Sequence, residues 1–99
     1  MSLHPTDGVR ILLELEAAEP AGGARYRGAV FTPLTRADFA VHIDAGGLVT
    51  ADPVGELQAE GPGDRGREIL RSIARTVARH ALADDPPTWP RRVLRWRRV

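Results

Sequence analysis

The C-terminal segment 89–99 interleaves five arginines with two tryptophans, in the order Trp89-Pro90-Arg91-Arg92-Val93-Leu94-Arg95-Trp96-Arg97-Arg98-Val99. Guanidinium groups bind phosphates and carboxylates, and indole rings stack on bases or anchor protein interfaces. Basic amphipathic segments also bind anionic lipid surfaces. Nucleic acid, a protein and a membrane surface are therefore open as partners. We favour a fourth interpretation, in which the segment is a final sheet strand with Leu94 and Trp96 buried under a helix and the arginines pointing outward.

A second set of arginines recurs every four residues between positions 67 and 79. Arg67, Arg71, Arg75 and Arg79 form one slowly drifting row along a predicted helix. Like charges at this spacing repel each other by about 0.3 kcal/mol per pair. The simplest interpretation is a solvated face, or ion pairs with acidic strands, and the alternative is an anionic partner.

These two arginine sets belong to a pronounced segregation of charge along the chain. Residues 1–64 carry a net charge of −6 and residues 65–99 a net charge of +7, which leaves +1 for the whole chain. A basic surface must therefore lie on the C-terminal half. Self-association is one way to neutralise it, because the acidic half of one copy complements the basic half of another.

One histidine has carboxylates at strand spacing. Asp38, His42 and Asp44 alternate along a predicted strand and share its polar face, so strand geometry allows a carboxylate–imidazole hydrogen bond there. A hydrolase would still need a nucleophile, and the only serines are Ser2 and Ser72. We keep a small hydrolase centred on His42 as the third functional hypothesis.

Several other chemistries are excluded or disfavoured. The chain has no Cys, Lys or Asn, which excludes disulfides, thiolate metal sites, cysteine nucleophiles and a P-loop or Schiff-base lysine. The three histidines show no metal-binding spacing. Residues 61–66 match G-x-G-x-x-G, but too little chain follows for a dinucleotide-binding unit. We predict no catalytic residues, no metal and no cofactor.

The composition is that of one small globular domain. Hydrophobic residues make up 42% of the 99 residues, but 14 of them are alanines, so 28 larger apolar side chains remain for the core. A core this small predicts modest stability or additional burial against a partner. The first ten residues lack the apolar stretch of a secretory signal, and no run approaches a membrane span, so we expect a cytoplasmic protein.

Apolar periodicity predicts the elements. Residues 1–8 are expected to be a disordered tail and residues 9–53 an antiparallel meander, with strands near 9–16, 25–32, 38–44 and 48–51 separated by glycine-rich turns. Asp52-Pro53 should end the backbone hydrogen bonds of the fourth strand. Residues 54–63 are expected to be a loop, with room for one short strand. An amphipathic helix is predicted over 64–83 with Asp64 as its N-cap, and a strand over 91–99.

These elements predict a two-layer α+β sandwich. The order is β-β-β-(β)-α-β, a meander of three to five strands covered on one face by a single helix. The function we expect is a non-catalytic interaction or regulatory domain that binds an acidic protein surface or a second copy of itself; the alternative is a nucleic-acid-binding module in which arginines contact phosphates and Trp96 stacks on a base. The candidate interaction residues are Arg67, Arg71, Arg75, Arg79, Arg91, Arg92, Arg95, Trp96, Arg97 and Arg98.

Overall fold

The computed structural model describes residues 2–55 and 63–98. Its elements are β1 (Val9–Ala18), β2 (Ala24–Phe31), β3 (Arg36–Ile43), β4 (Val49–Pro53), α1 (Gly63–Leu82) and β5 (Arg92–Arg97). The strands form one antiparallel sheet in the order β4-β3-β2-β1-β5. The predicted α+β class, with a meander and a single helix, is confirmed. The sheet is open, with β4 and β5 at its two edges.

The central strands owe their positions to alternating apolar side chains. In β1, Val9, Ile11 and Leu13 are buried on the face that α1 covers. β2 and β3 continue this face with Tyr26, Val30, Phe39 and other residues of the same core cluster. Because successive strand residues point to opposite faces, the remaining positions form a second face without a helix.

The helix buries one stripe against the sheet, and a glycine lets it approach closely. Leu70, Ile73, Ala74 and Val77 belong to the core cluster. A Cβ atom on Gly28 would lie 3.2 Å from a terminal carbon of Leu70 and 3.0 Å from Val41, tighter than ordinary contacts. The missing side chain of Gly28 therefore makes room for Leu70 over the middle of the sheet.

Element boundaries differ from the sequence prediction in several places. β1 continues to Ala18 through an irregularity in its register between Leu15 and Ala17. Pro53 still belongs to β4, paired with Phe39, which is tolerated because β4 is an edge strand and needs no donor on its open side. α1 begins at Gly63, so Asp64 lies inside its first turn instead of capping it. Most of the predicted 54–63 loop lies outside the described residues.

The N-terminal segment does not match the expectation of a disordered tail. Leu3 packs against Leu12, Ala29 and Phe31 on the helix-free face of the sheet. The His4 ring lies edge-on to Phe31 with centroids 5.3 Å apart, and its Nδ1 is 2.7 Å from the carbonyl oxygen of Thr32. The apolar residues of this face need a cover, and segment 2–8 supplies part of it.

The connection between α1 and β5 closes the core beside the end of the helix. Trp89 is buried and meets Tyr26 edge-to-face, with ring centroids 6.3 Å apart. The hydroxyl of Tyr26 donates a hydrogen bond of 2.6 Å to the carbonyl oxygen of Pro90. This bond joins β2, in the centre of the sheet, to the residues just before β5.

Replacing Tyr26 with Phe tests this anchor. Tyr26→Phe keeps the ring and removes only the hydrogen bond to Pro90, so we expect the free energy of unfolding to fall by about 1 kcal/mol at pH 8. Burial raises the pKa of Tyr26 to about 12 from its usual value of 10.0. The unfolded chain therefore ionises this group first, and the stability that Tyr26 contributes is present below pH 10 and lost as the pH rises towards 12.

Urea unfolding of both proteins at pH 8 and near pH 11 measures these effects. The advantage of the wild type over Tyr26→Phe should shrink at the higher pH. An advantage that grows with pH would contradict the assignment of a buried, neutral phenol.

Candidate functional site

A groove runs between α1 and the edge strand β5. One end is a cavity of about 430 Å³, with an apolar floor formed by Ile73, Val77, Ala81 and Val93. Its polar lining comes from both elements and from the connection between them: Thr76, His80, Asp84, Thr88, Arg92, Arg95 and Arg97. Pro90, whose carbonyl accepts the Tyr26 hydroxyl, also borders it.

The groove continues towards the N-terminal end of the helix. A second cavity, of about 400 Å³, is lined by Arg65, Glu68, Ile69, Ser72, Arg75, Arg97 and Arg98. Arg97 borders both cavities, so the two are adjacent along α1. We call the two cavities together the α1/β5 groove.

Positive charge dominates this groove. Six arginines line it, against two carboxylates, Glu68 and Asp84. The arginines come from α1, from β5 and from the residue after β5: Arg65, Arg75, Arg92, Arg95, Arg97 and Arg98. Charges of one sign lining a cleft with low-dielectric walls focus the potential and attract a partner of the opposite sign.

The backbone of β5 adds a second feature to the groove. The amide of Leu15 donates to the carbonyl of Arg91 at 2.8 Å, and the register continues with Leu13 opposite Val93 and Ile11 opposite Arg95. These β5 residues direct their backbone groups towards β1. The intervening residues, Leu94 and Trp96, therefore direct theirs towards the open edge.

Two groove arginines cover the open carbonyls of this edge. A guanidinium nitrogen of Arg95 donates to the carbonyl oxygen of Leu94 at 2.8 Å, and Arg97 does the same to Trp96, also at 2.8 Å. Charged side chains at a sheet edge protect it from unwanted pairing with other strands. Arg95 and Arg97 thus line the groove and cap the edge at the same time.

Trp96 and Leu94 lie on the opposite face of the sheet from these arginines. The interpretation that placed them under the helix is wrong, because the register pairs Leu94 with Leu12 and Trp96 with Arg10, both on the helix-free face. The alternation of β5 leaves Val93 as its residue in the core cluster. Trp96 is 40% exposed, and its indole Nε1 donates a hydrogen bond of 2.8 Å to the carbonyl oxygen of Asp7.

The remaining predicted arginines do not line the groove. Arg67 Nη2 is 3.9 Å from an oxygen of Asp52 on β4, and Arg71 Nη1 is 3.0 Å from Glu68, one of the two groove carboxylates. The Nε atoms of Arg67 and Arg71 are buried with no hydrogen-bond acceptor among the described residues. Arg79 and Arg91 are exposed. The structure therefore divides the four-residue row between two sides of the helix.

His42 is paired with neither of the two carboxylates on its own strand. Its Nε2 lies 2.7 Å from an oxygen of Glu19, which follows β1. Asp38 instead accepts from Arg36 at 2.8 Å, and Asp44 accepts two backbone amides in its own turn. The β1–β2 hairpin places Glu19 beside the start of β2, and the pairing of β2 with β3 brings His42 to the same place, which strand spacing does not reveal. The cavities described above are lined by other residues.

Sequence reasoning missed two polar residues of the groove, Arg65 and His80. Both stand outside the four-residue arginine row that drew attention to the helix. The signal was a second helical stripe: Arg65, Ile69, Ser72, Thr76 and His80 follow one another at intervals of three or four residues. All five border the groove.

No family model, curated protein or solved structure matches this chain. Within residues 2–55 and 63–98, no three His, Cys, Asp or Glu side chains come together as a metal site. The same residues contain no helix with the length and hydrophobicity needed to cross a membrane. The groove itself is therefore the observation from which a function must be argued.

The clustering of charge predicts opposite effects for two arginine substitutions. Arg75→Gln removes one of several like charges around the groove, so at low salt we expect the free energy of unfolding to rise by about 0.3 kcal/mol. Arg36→Gln removes the exposed ion pair with Asp38 and should lower the free energy of unfolding by roughly 0.3 kcal/mol. Urea unfolding with and without about 0.5 M NaCl should show both differences shrinking in salt. Destabilisation by Arg75→Gln at low salt would show that its charge is already compensated.

Proposed function

We propose that this protein is a non-catalytic interaction domain that binds an acidic segment of a partner protein in the α1/β5 groove. The observation that carries the proposal is the convergence of six arginines, from elements separated in sequence, on one groove with an apolar floor. A segment rich in glutamate would match the charge with its carboxylates and the floor with its methylene groups.

The chemistry of the groove favours a protein partner over a nucleic acid. The buried side chains of Ile73 and Val77 lie beneath the arginines and suit aliphatic groups better than sugars or phosphates. Asp84 would repel a phosphate backbone, whereas the charge of Glu68 is offset by Arg71. Trp96, the residue expected to stack on a base, belongs to the other face of the sheet and donates its indole N–H to Asp7. A nucleic acid would have to wrap around the edge of β5 to contact both the groove arginines and Trp96.

The exposed arginines also argue against a face-to-face dimer through the groove. Two copies related by a twofold axis would bring the same six arginines against each other. A second copy would instead have to place its acidic strands in the groove. That contact would join two different surfaces of the protein, unlike the contact in a twofold dimer. A partner protein with a projecting acidic segment meets the groove without either arrangement.

A defined peptide tests the proposal. The probe is a fluorescent peptide of alternating glutamate and valine, about twice the length of the six-residue β5. We expect it to bind, with an affinity that falls as NaCl rises from about 50 to about 300 mM, because the contacts are ionic. Fluorescence anisotropy gives the dissociation constant, and size-exclusion chromatography of the free protein gives its oligomeric state.

Paired charge reversals locate the site. Arg95→Glu combined with Arg97→Glu reverses two groove charges and should weaken binding by about tenfold or more. The matched control is Arg25→Glu with Arg27→Glu, which also reverses two exposed arginines two residues apart on one strand, but on the helix-free face. The control should bind within about threefold of wild type, since its charges lie outside the groove.

Three results would overturn the proposal. Equal losses from both double variants would mean that only net charge matters. Tighter binding of a single-stranded oligonucleotide than of the peptide would favour a nucleic-acid module. A dimer whose formation depends on Arg95 and Arg97 would identify a second copy as the occupant.

A further inference from the structure

We infer that the acidic segment binds as an added antiparallel strand on the open edge of β5, with Arg95 and Arg97 moving from the edge carbonyls to its carboxylates. This inference rests on the proposed function and specifies how the groove recognises its partner. The edge of β5 forms one wall of the groove, so a segment lying there contacts both the backbone and the arginines.

The backbone of the edge is available for pairing. Leu94 and Trp96 direct their amide and carbonyl groups away from β1, and β5 is the last strand of the described sheet. An extended peptide recognises such an edge through main-chain hydrogen bonds, while alternate side chains enter pockets on either face.

The two arginine caps make the edge selective. Each guanidinium covers the carbonyl of the residue before it, and both contacts are exposed. A neutral strand would have to displace both caps without replacing their hydrogen bonds. An acidic strand offers carboxylates in exchange, and hydrogen bonds between two charged groups are stronger than those to a neutral carbonyl. The caps therefore favour an acidic strand over others.

Among the described residues, neither edge strand of this chain fits the edge of β5. A β5 strand from a second copy would bring its own three arginines to this arginine-lined edge, and like charges facing each other across a strand pair are destabilising. β4, the other edge, has five residues, of which Asp52 is the one acid, and it ends in proline. A foreign acidic segment is the occupant that matches the charges.

The register predicts which amides of the bound segment matter. In an antiparallel pair, a residue opposite Arg95 shares its face and, like Arg95, directs its backbone groups away from the new interface. The backbone amides of glutamates placed in the groove therefore point away from β5. The valines between them lie opposite Leu94 and Trp96, and their amides point at β5.

Methylation of the peptide backbone tests this arrangement. Two versions of the glutamate–valine peptide carry N-methyl groups either on the central valines or on the central glutamates, so their charge and composition are the same. We expect valine methylation to weaken binding to the wild-type protein by about tenfold or more, because it removes hydrogen bonds to the edge. Glutamate methylation should leave the affinity within about threefold of the unmethylated peptide.

A second readout follows the protein itself. On adding the unmethylated peptide, the backbone amides of Leu94 and Trp96 should gain protection from hydrogen exchange, measured by NMR. Equal affinities of the two methylated peptides, or unchanged exchange at both amides with the peptide bound, would overturn strand addition. If the unmethylated peptide binds and depends on Arg95 and Arg97, the proposed function survives that result; if it fails to bind, both proposals fall.

Discussion

The structure depends on a mismatch of width between its two layers. Five strands at about 4.8 Å spacing span roughly 19 Å, whereas a helix with its side chains is about 10–12 Å across. A single helix therefore cannot cover the sheet. α1 packs against β1, β2 and β4, and β5 extends past its side. The α1/β5 groove is the space that this overhang leaves, and its arginines are the side chains that a partly uncovered strand can present to water.

The rest of the chain compensates for what the helix leaves uncovered. Trp89 fills the core beside the end of α1, and the bond from Tyr26 to Pro90 fixes the connection that leads into β5. On the other face, Leu3 and His4 lie over a small apolar cluster around Phe31. Both devices are local and small, in keeping with a core that has few large side chains. These contacts also hold β5 at its two ends. The bond from Tyr26 to Pro90 lies just before the strand, and the carbonyl oxygen of Asp7 accepts a hydrogen bond from the indole N–H of Trp96 near its end.

Much of the fold could be predicted because its elements alternate clearly. The period of two in β1 and β3 and the apolar stripe of α1 identify both the type and the buried face of each element. The sequence did not predict the features that lack a regular pattern. In β5, arginine occupies both faces, so periodicity could not decide whether Val93 or the pair Leu94 and Trp96 faces the helix. Residues 2–8 have no periodicity, and their packing against Phe31 depends on a sheet surface built from distant residues. The partner of His42 comes from a turn 23 residues away, which strand spacing cannot show.

By itself the sequence determined which chemical groups this protein carries. Its C-terminal half is basic and rich in arginine, and the chain has neither cysteine nor lysine. It also determined that one helix must cover an antiparallel meander, because local periodicity and turn residues are properties of adjacent positions. Only the tertiary structure decided which arginines lie together. Helix and strand arginines meet where β5 pairs with β1, and the same pairing separates Trp96 from them and opens the edge that Arg95 and Arg97 cap. Register across a sheet is set by contacts between distant residues, so no local pattern could specify it.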